Sequence, residues 1–195
     1  MRIAIVFNHP YKGSYCSAIL DSVKSGLEKG GHEIDIMHLD NDGFNPVMTA
    51  DDLLAFRNKK AIDPQASEYV QRIKTADHLV LIFPIWWELM PALMKGFIDK
   101  VIFPGELYDY TKSGLGMVSL MDNIKSTTII TTMNTPSIMY KLIFGDAIKK
   151  ALITGTFKKT GCKNVKWLSL NMVKASSKAK REKWLKQIEN RFATV

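Results

Sequence analysis

Apolar and polar positions along this chain fall into two alternating kinds of segment. Continuous apolar runs at residues 3–7 and 79–83 have the length and uniformity of strands buried on both faces, as in a parallel sheet, the second strand beginning at His78. Residues 33–39, the β-branched stretch 127–132 and residues 164–170 complete a set of five predicted strands. Helical periodicity occupies the intervals: about 15–29, ending at Gly30-Gly31 where a glycine cap is expected; 50–60; about 64–75; 91 to about 102; 138–157, with an interruption expected at Gly145; and about 176–192. Asn41-Asp42-Gly43 and Asn45-Pro46 mark an irregular link, and residues 104–110 read as a loop.

Strands that alternate with helices imply a parallel sheet with helices on both faces, because parallel neighbours need crossover connections. No G-x-G-x-x-G follows the first strand and no G-x-x-x-x-G-K-[ST] loop occurs, which counts against the folds that carry those fingerprints. An α/β, flavodoxin-like five-stranded sheet of order 2-1-3-4-5 is therefore expected. The 195 residues fit one domain, spanning 1–195, with no repeat or linker.

Ligands of open α/β sheets collect outside the carboxyl ends of the strands, so three loops carry the candidate chemistry. The first, Asn8 to Ala18, brings His9, Ser14, Tyr15 and Cys16 to a helix N-terminus, where free N–H groups and the dipole suit a phosphate. The same serines also make ordinary helix caps. The second, Pro84-Ile85-Trp86-Trp87-Glu88, offers indoles beside which a planar ring could pack and main-chain groups for its polar edge. The third is Thr131-Thr132-Met133-Asn134. One loop for a phosphate and two for a ring together describe a flavin nucleotide, against the plainer reading in which the indoles are core or interface.

Charge and cysteine usage narrow the class. The net charge of +8 is a property of the C-terminal part: residues 149–195 hold 13 Lys/Arg against 2 Asp/Glu. With no nucleic-acid module beside it, this reads as a solvated helix face whose field attracts anionic nucleotides or quinone-like acids, and nucleic-acid binding is not expected. Cys16 and Cys162 have no metal-ligand or disulfide spacing, so no metal and a cytoplasmic setting are expected. No signal peptide and no membrane span are expected either.

The chain resembles the NAD(P)H:quinone oxidoreductases with a flavodoxin-like fold, a family that includes modulator-of-drug-activity proteins and ancillary subunits of bacterial potassium efflux systems. The resemblance is carried by His9-Pro10 with Ser14-Tyr15 and Ala18, by Phe44-Asn45-Pro46-Val47, and by Gly105-Glu106-Leu107-Tyr108 with Thr131-Thr132. Its most specific part is Phe83-Pro84-Ile85-Trp86-Trp87 with Met90-Pro91-Ala92 and Lys95-Gly96-Phe97-Ile98-Asp99. It implies a noncovalent flavin, with the phosphate at His9, Ser14 and Tyr15 and the ring's polar edge between residues 84–88 and 131–134. It also implies NAD(P)H and a quinone-like substrate taking turns in one pocket, Tyr140 and Tyr108 orienting the acceptor, and a homodimer that shares its sites. Cys16 stands where many relatives have Asn, Met133-Asn134 replaces glycines, and Phe144 takes the place of a histidine that delivers a proton in animal members. FAD is expected over FMN, because the helix at 50–60 and the long tail exceed what FMN needs. The competing expectation is a flavin-bearing regulatory subunit or redox sensor with little turnover.

Overall fold

The computed structural model describes residues 1–195. Its main sheet contains β1 (Arg2–Phe7), β2 (Glu33–His38), β3 (His78–Pro84), β6 (Ser126–Thr132) and β7 (Val165–Leu170), all parallel, in the order β2-β1-β3-β6-β7. With the short hairpin β4 (Tyr108–Tyr110) and β5 (Met117–Ser119) left out of the numbering, this is the expected 2-1-3-4-5 order.

The helices α1 (Tyr15–Lys29), α2 (Ala50–Arg57), α3 (Pro64–Lys74), α4 (Ala92–Val101), α5 (Ser137–Leu142) and α6 (Lys178–Phe192) complete the chain. All seven residues of β3 are buried, as the apolar run from Leu79 requires of a central strand covered twice, and His78 is buried with them. Alternate strand residues feed two cores. Ala4, Val6, Leu79, Leu81 and Ile129 meet α3 and α4 through Val70, Ile73, Met94 and Phe97. Ile3, Ile5, Val80 and Ile130 meet α1 and α6 through Ile19, Val23, Ile188 and Phe192. The α1–α6 contact is close enough that a Cβ on Gly26 would lie 2.3 Å from the carbonyl oxygen of Glu189, so glycine is required there.

Two expectations change. The segment read as a loop at 104–110 carries the first strand of the hairpin, whose three-residue strands are too short for a period-2 pattern to register. The helix expected at 138–157 breaks where anticipated, at Gly145 and Asp146, whose φ values are +68° and +56°, but it resumes at Lys149–Lys158 as a π-helix. Its buried positions Leu152, Ile153 and Phe157 recur at spacings of four and five, which a wider i→i+5 helix seats as readily as an α-helix. No helix is long and apolar enough to cross a membrane.

Lys100 ties the region between β2 and β3 to α4. Its ammonium is buried 2.5 Å from Asp63 Oδ2 and 3.3 Å from the carbonyl of Asn45. Asp63 also caps α3 through the N–H of Ala66. Removing one partner of a buried pair strands the other charge, so Lys100→Ala is expected to cost about 3 kcal/mol in urea unfolding.

His78 opens β3, with Nδ1 2.6 Å from Ser126 Oγ and Nε2 3.1 Å from Thr128 Oγ1. Burial, followed by the charges of Lys166, Arg191 and His32, pushes its imidazole down to about 4. Between that value and the ordinary 6.5, the unfolded chain binds a proton that the folded one refuses, so stability contributed above pH 6.5 drains away as the pH falls. The loss by pH 4 is about 3 kcal/mol. Urea midpoints of wild type and His78→Gln across this range check it: the substitution should remove that part of the slope.

Candidate active site

Parallel pairing brings the three loops together. Phe7 lies opposite Ile82, and Phe83 and Pro84 lie opposite Thr131 and Thr132, so β1, β3 and β6 end side by side. The loop after β1 is held by Asn8, whose N–H donates to the Ile82 carbonyl (3.0 Å) and whose Nδ2 donates to Asp40 Oδ2 (3.0 Å). His9 Nδ1 accepts the N–H of Tyr11 at 3.1 Å, and burial lowers its pKa despite Asp40 nearby. Ser14 caps α1 by accepting the N–H of Ser17. The main-chain N–H groups of Tyr15 and Cys16 have no protein partner and point out of a helix N-terminus.

The loop after β3 is a two-residue turn. Trp86 and Leu89 exchange main-chain bonds of 2.9 and 3.1 Å, and between them Trp87 and Glu88 both have positive φ, +51° and +64°, as in a type I′ turn. Such a turn ordinarily takes Asn or Gly, so two bulky L-residues are held there against their preference. Tyr140 supplies one restraint: its hydroxyl donates to the Glu88 carbonyl (2.9 Å) and accepts the Ile148 N–H (2.9 Å). Thr135 supplies another, donating its hydroxyl to Glu88 Oε1 at 2.7 Å.

A cavity of about 270 Å³ opens where these loops meet. Its walls include His9, Tyr15 and Cys16 from the first loop, Pro84, Ile85 and Trp86 from the second, and Thr132, Met133 and Asn134 from the third. The His9 imidazole meets the Trp86 indole edge-on, with ring centroids 6.1 Å apart. An adjoining cleft of about 460 Å³ shares Tyr15 with the cavity and adds Ser14 and Ala18.

The remaining sequence-derived residues lie outside the cavity walls. The Thr131 hydroxyl accepts from Trp167 Nε1 at 2.9 Å. Trp87 is 96% exposed at the tip of its turn. Glu88 faces Thr135, and Tyr140 has its hydroxyl engaged by the scaffold as described. Tyr108 lines a separate cleft with Phe56, Ile98 and Met117 that shares no residue with the first.

Sequence reasoning missed Val173, Lys174 and Arg181, which line the cavity or the adjoining cleft. Val173 and Lys174 belong to a fourth strand-end segment, between β7 and α6, strapped across the third loop, and Arg181 sits in the first turn of α6 behind it. The Val173 N–H donates to the Met133 carbonyl (3.2 Å), the Lys174 N–H to Asn134 Oδ1 (3.0 Å), and Asn171 Nδ2 to the Thr135 carbonyl (3.1 Å). Applying the strand-end rule to the last strand as well would have found them.

The donor set suits a flavin nucleotide. On the wall the N–H group of Asn134, and just beyond it those of Trp87, Glu88 and Thr135, are also without protein partners, donors of the kind a ring's polar edge would take. A phosphate would find the α1 N-terminus with the positive charge of Lys174 on the cavity wall, and Arg181 lies further along in the adjoining cleft. Cys16 does not add a nucleophile. Burial pushes its thiol up to about 11, the bond to Thr132 Oγ1 at 3.3 Å offsetting only part of that, so it stays protonated at neutral pH. Burial likewise raises Tyr15 to about 12, although Arg181 pulls the other way.

Comparison with known proteins agrees with this fold. The pattern of the flavodoxin-like fold family matches residues 1–192. An uncharacterized NAD(P)H oxidoreductase of Haemophilus influenzae is 27% identical over 168 residues, covering 86% of this chain and 82% of that one. NAD(P)H dehydrogenase [quinone] 1 of Cavia porcellus is 26% identical over 164 residues, which is 74% of this chain but only 58% of that longer protein. The chain likewise spans 55% of the uncharacterized NAD(P)H oxidoreductase YcaK of Escherichia coli, at 32% identity. Among solved structures, Smu.1420 from Streptococcus mutans superposes with a TM-score of 0.87 at 32% identity, with both chains fully covered. The NAD(P)H:quinone oxidoreductase from Methanothermobacter marburgensis has the same fold at a TM-score of 0.88 and 22% identity, covering 100% of this chain and 98% of that one. With its sheet order, strand-end cavity and sequence pattern in agreement, the chain belongs to the flavodoxin-like fold family, where its relatives are NAD(P)H oxidoreductases.

Proposed function

We propose that the chain is a flavin-dependent NAD(P)H oxidoreductase that reduces quinones or similar electrophilic acceptors, with donor and acceptor using one pocket in turn. The observation that carries this is the convergence of three strand-end loops, with unpaired main-chain N–H groups and an indole wall, on a cavity that ends at a helix N-terminus. A bound flavin supplies the hydride chemistry, accepting from the nicotinamide and passing to the acceptor. The protein's part is binding, orientation and electrostatics. The α1 N-terminus, Ser14 and His9 hold the phosphate; Trp86 and Ile85 flank the ring; and N–H groups of residues 87–88 and 134–135 stabilise negative charge on its polar edge, as an oxyanion hole does. Cys16, kept neutral on the cavity wall, would offer the ring an unreactive surface.

FAD is favoured over FMN. The cleft beyond the cavity, with Lys174 and Arg181 on its walls, offers a second phosphate a basic neighbour and room for an adenosine. Relatives named for FMN, such as the FMN-dependent NADH:quinone oxidoreductase of Mycoplasmoides gallisepticum, make FMN the alternative. A homodimer completes the site. Trp87, Ile138 and Leu142 are 96%, 72% and 81% exposed around the turn and α5, an apolar face beside the site that suits a partner, and a second copy is the partner inferred. The free thiols Cys16 and Cys162 support a reducing, cytoplasmic setting.

Flavin-loaded protein is expected to oxidise NADH or NADPH with menadione as acceptor, giving parallel double-reciprocal lines. Loaded protein without turnover would overturn the enzyme reading and favour the regulatory subunit. Arg181→Ala, which lines only the adjoining cleft, should weaken FAD binding about tenfold while leaving FMN little changed, since loss of a charged neighbour of the second phosphate is at stake. Equal losses for both flavins would reject the FAD assignment. Light scattering should find a dimer that Leu142→Glu drives to monomer, and a monomeric wild type at micromolar concentration would contradict the shared site.

A further inference from the structure

The turn at residues 86–89 lies against α5 and beside the loop that follows β6, and Glu88 touches both neighbours at once. Its carbonyl accepts from Tyr140, and its carboxylate accepts from Thr135. We propose that Glu88 is a positioning residue for the ring site: through Thr135 it latches the turn after β3 to the loop after β6, fixing the spacing of the two loops whose N–H groups face the ring's polar edge. The proposal rests on the flavin reading and deepens it.

Three observations carry it. The turn closes on itself only through the Trp86–Leu89 main-chain pair, while Trp87 and Glu88 occupy left-handed backbone that neither side chain favours, and the Trp87 indole, 96% exposed, contributes little packing. Further restraints against the left-handed backbone come from outside the turn. Of the hydrogen bonds that reach the turn from elsewhere, the Tyr140 bond anchors it to α5, and only the Thr135–Glu88 bond crosses to the strand-end loop, where Met133 and Asn134 line the cavity. Finally, Glu88 Oε2 is buried with no hydrogen-bond partner. Burying a bare carboxylate oxygen is costly, and an apolar side chain would fill the same space more cheaply, so the bond made by Oε1 is what the carboxylate is there for. If the latch is released, the turn keeps its Tyr140 anchor and its own main-chain pair, and the Ile85 N–H still reaches the Thr132 carbonyl, but nothing ties its tip to the loop after β6, so the N–H groups of residues 87 and 88 lose their register with those of 134 and 135.

Glu88→Ala and Thr135→Val each remove the bond, whereas Glu88→Gln keeps an acceptor for the Thr135 hydroxyl. The expected result is an about tenfold weaker flavin affinity for Glu88→Ala and for Thr135→Val. Both should also blur the fine structure of the bound flavin's visible band. The double variant should be no worse than either single one, and Glu88→Gln should bind and absorb like wild type. Circular dichroism and melting temperature identify a variant that has merely unfolded, and Thr135→Val, which removes one donor without burying a new charge, keeps the test open should Glu88→Ala fail to fold. Wild-type affinity and spectrum in Glu88→Ala or Thr135→Val, additive losses in the double variant, or a Glu88→Gln as impaired as Glu88→Ala would each overturn the latch. If wild type itself took up no flavin, the functional reading would fall together with it, whereas a flavin-binding wild type with unaffected variants would sink the latch alone.

Discussion

Burial of β3 on both faces is the constraint on which the rest depends. A strand with seven consecutive buried residues must have a neighbour on each edge and a helical layer on each side. Here those neighbours are β1 and β6, and both run parallel to it. Parallel pairing in turn forces every carboxyl end to one edge of the sheet, so the chain cannot form its core without also bringing His9, Trp86 and Thr132 to a common crevice. The site follows from the hydrophobic pattern by topology.

What the topology assembles, local chemistry then sharpens. The α1 N-terminus leaves donors unpaired because a helix must, and Ser14 satisfies only one of them. The turn at 86–89 is held in an unfavourable backbone conformation, and strain of this kind persists only where the surroundings over-determine it; Tyr140 and Thr135 do so here. Burial keeps the Cys16 thiol and the Tyr15 phenol protonated, so the cavity offers donors and walls but no reactive anion, as suits a site whose cofactor carries the chemistry.

The sequence made the sheet and most of the cavity legible because both depend on short-range signals: uninterrupted apolar runs, β-branched stretches and the residues that directly follow them. His9, Tyr15, Cys16, Pro84, Ile85, Trp86, Thr132, Met133 and Asn134 all line the cavity as expected. The residues that were harder to read are those whose roles depend on distant partners. Tyr140 looked like a substrate-facing phenol, yet its hydroxyl bridges a carbonyl and an N–H of the scaffold, a pairing set by where α5 lands. Tyr108 sits on a hairpin with strands too short to leave a pattern, and within one chain it faces a different cleft. Lys174 and Arg181 were read as part of a solvated basic tail, because charge along a helix does not tell which end of that helix abuts a cleft.

The central claim is that this strand-end crevice holds one redox-active flavin per chain. Anaerobic titration of the flavin-reconstituted protein with NADPH or NADH, followed in the visible band, tests it most directly. The account predicts a yellow protein whose band bleaches at one equivalent of reduced nicotinamide per chain and returns on adding a quinone. A protein that stays colourless after incubation with FAD and with FMN, or a bound flavin that neither nucleotide can reduce, would contradict it.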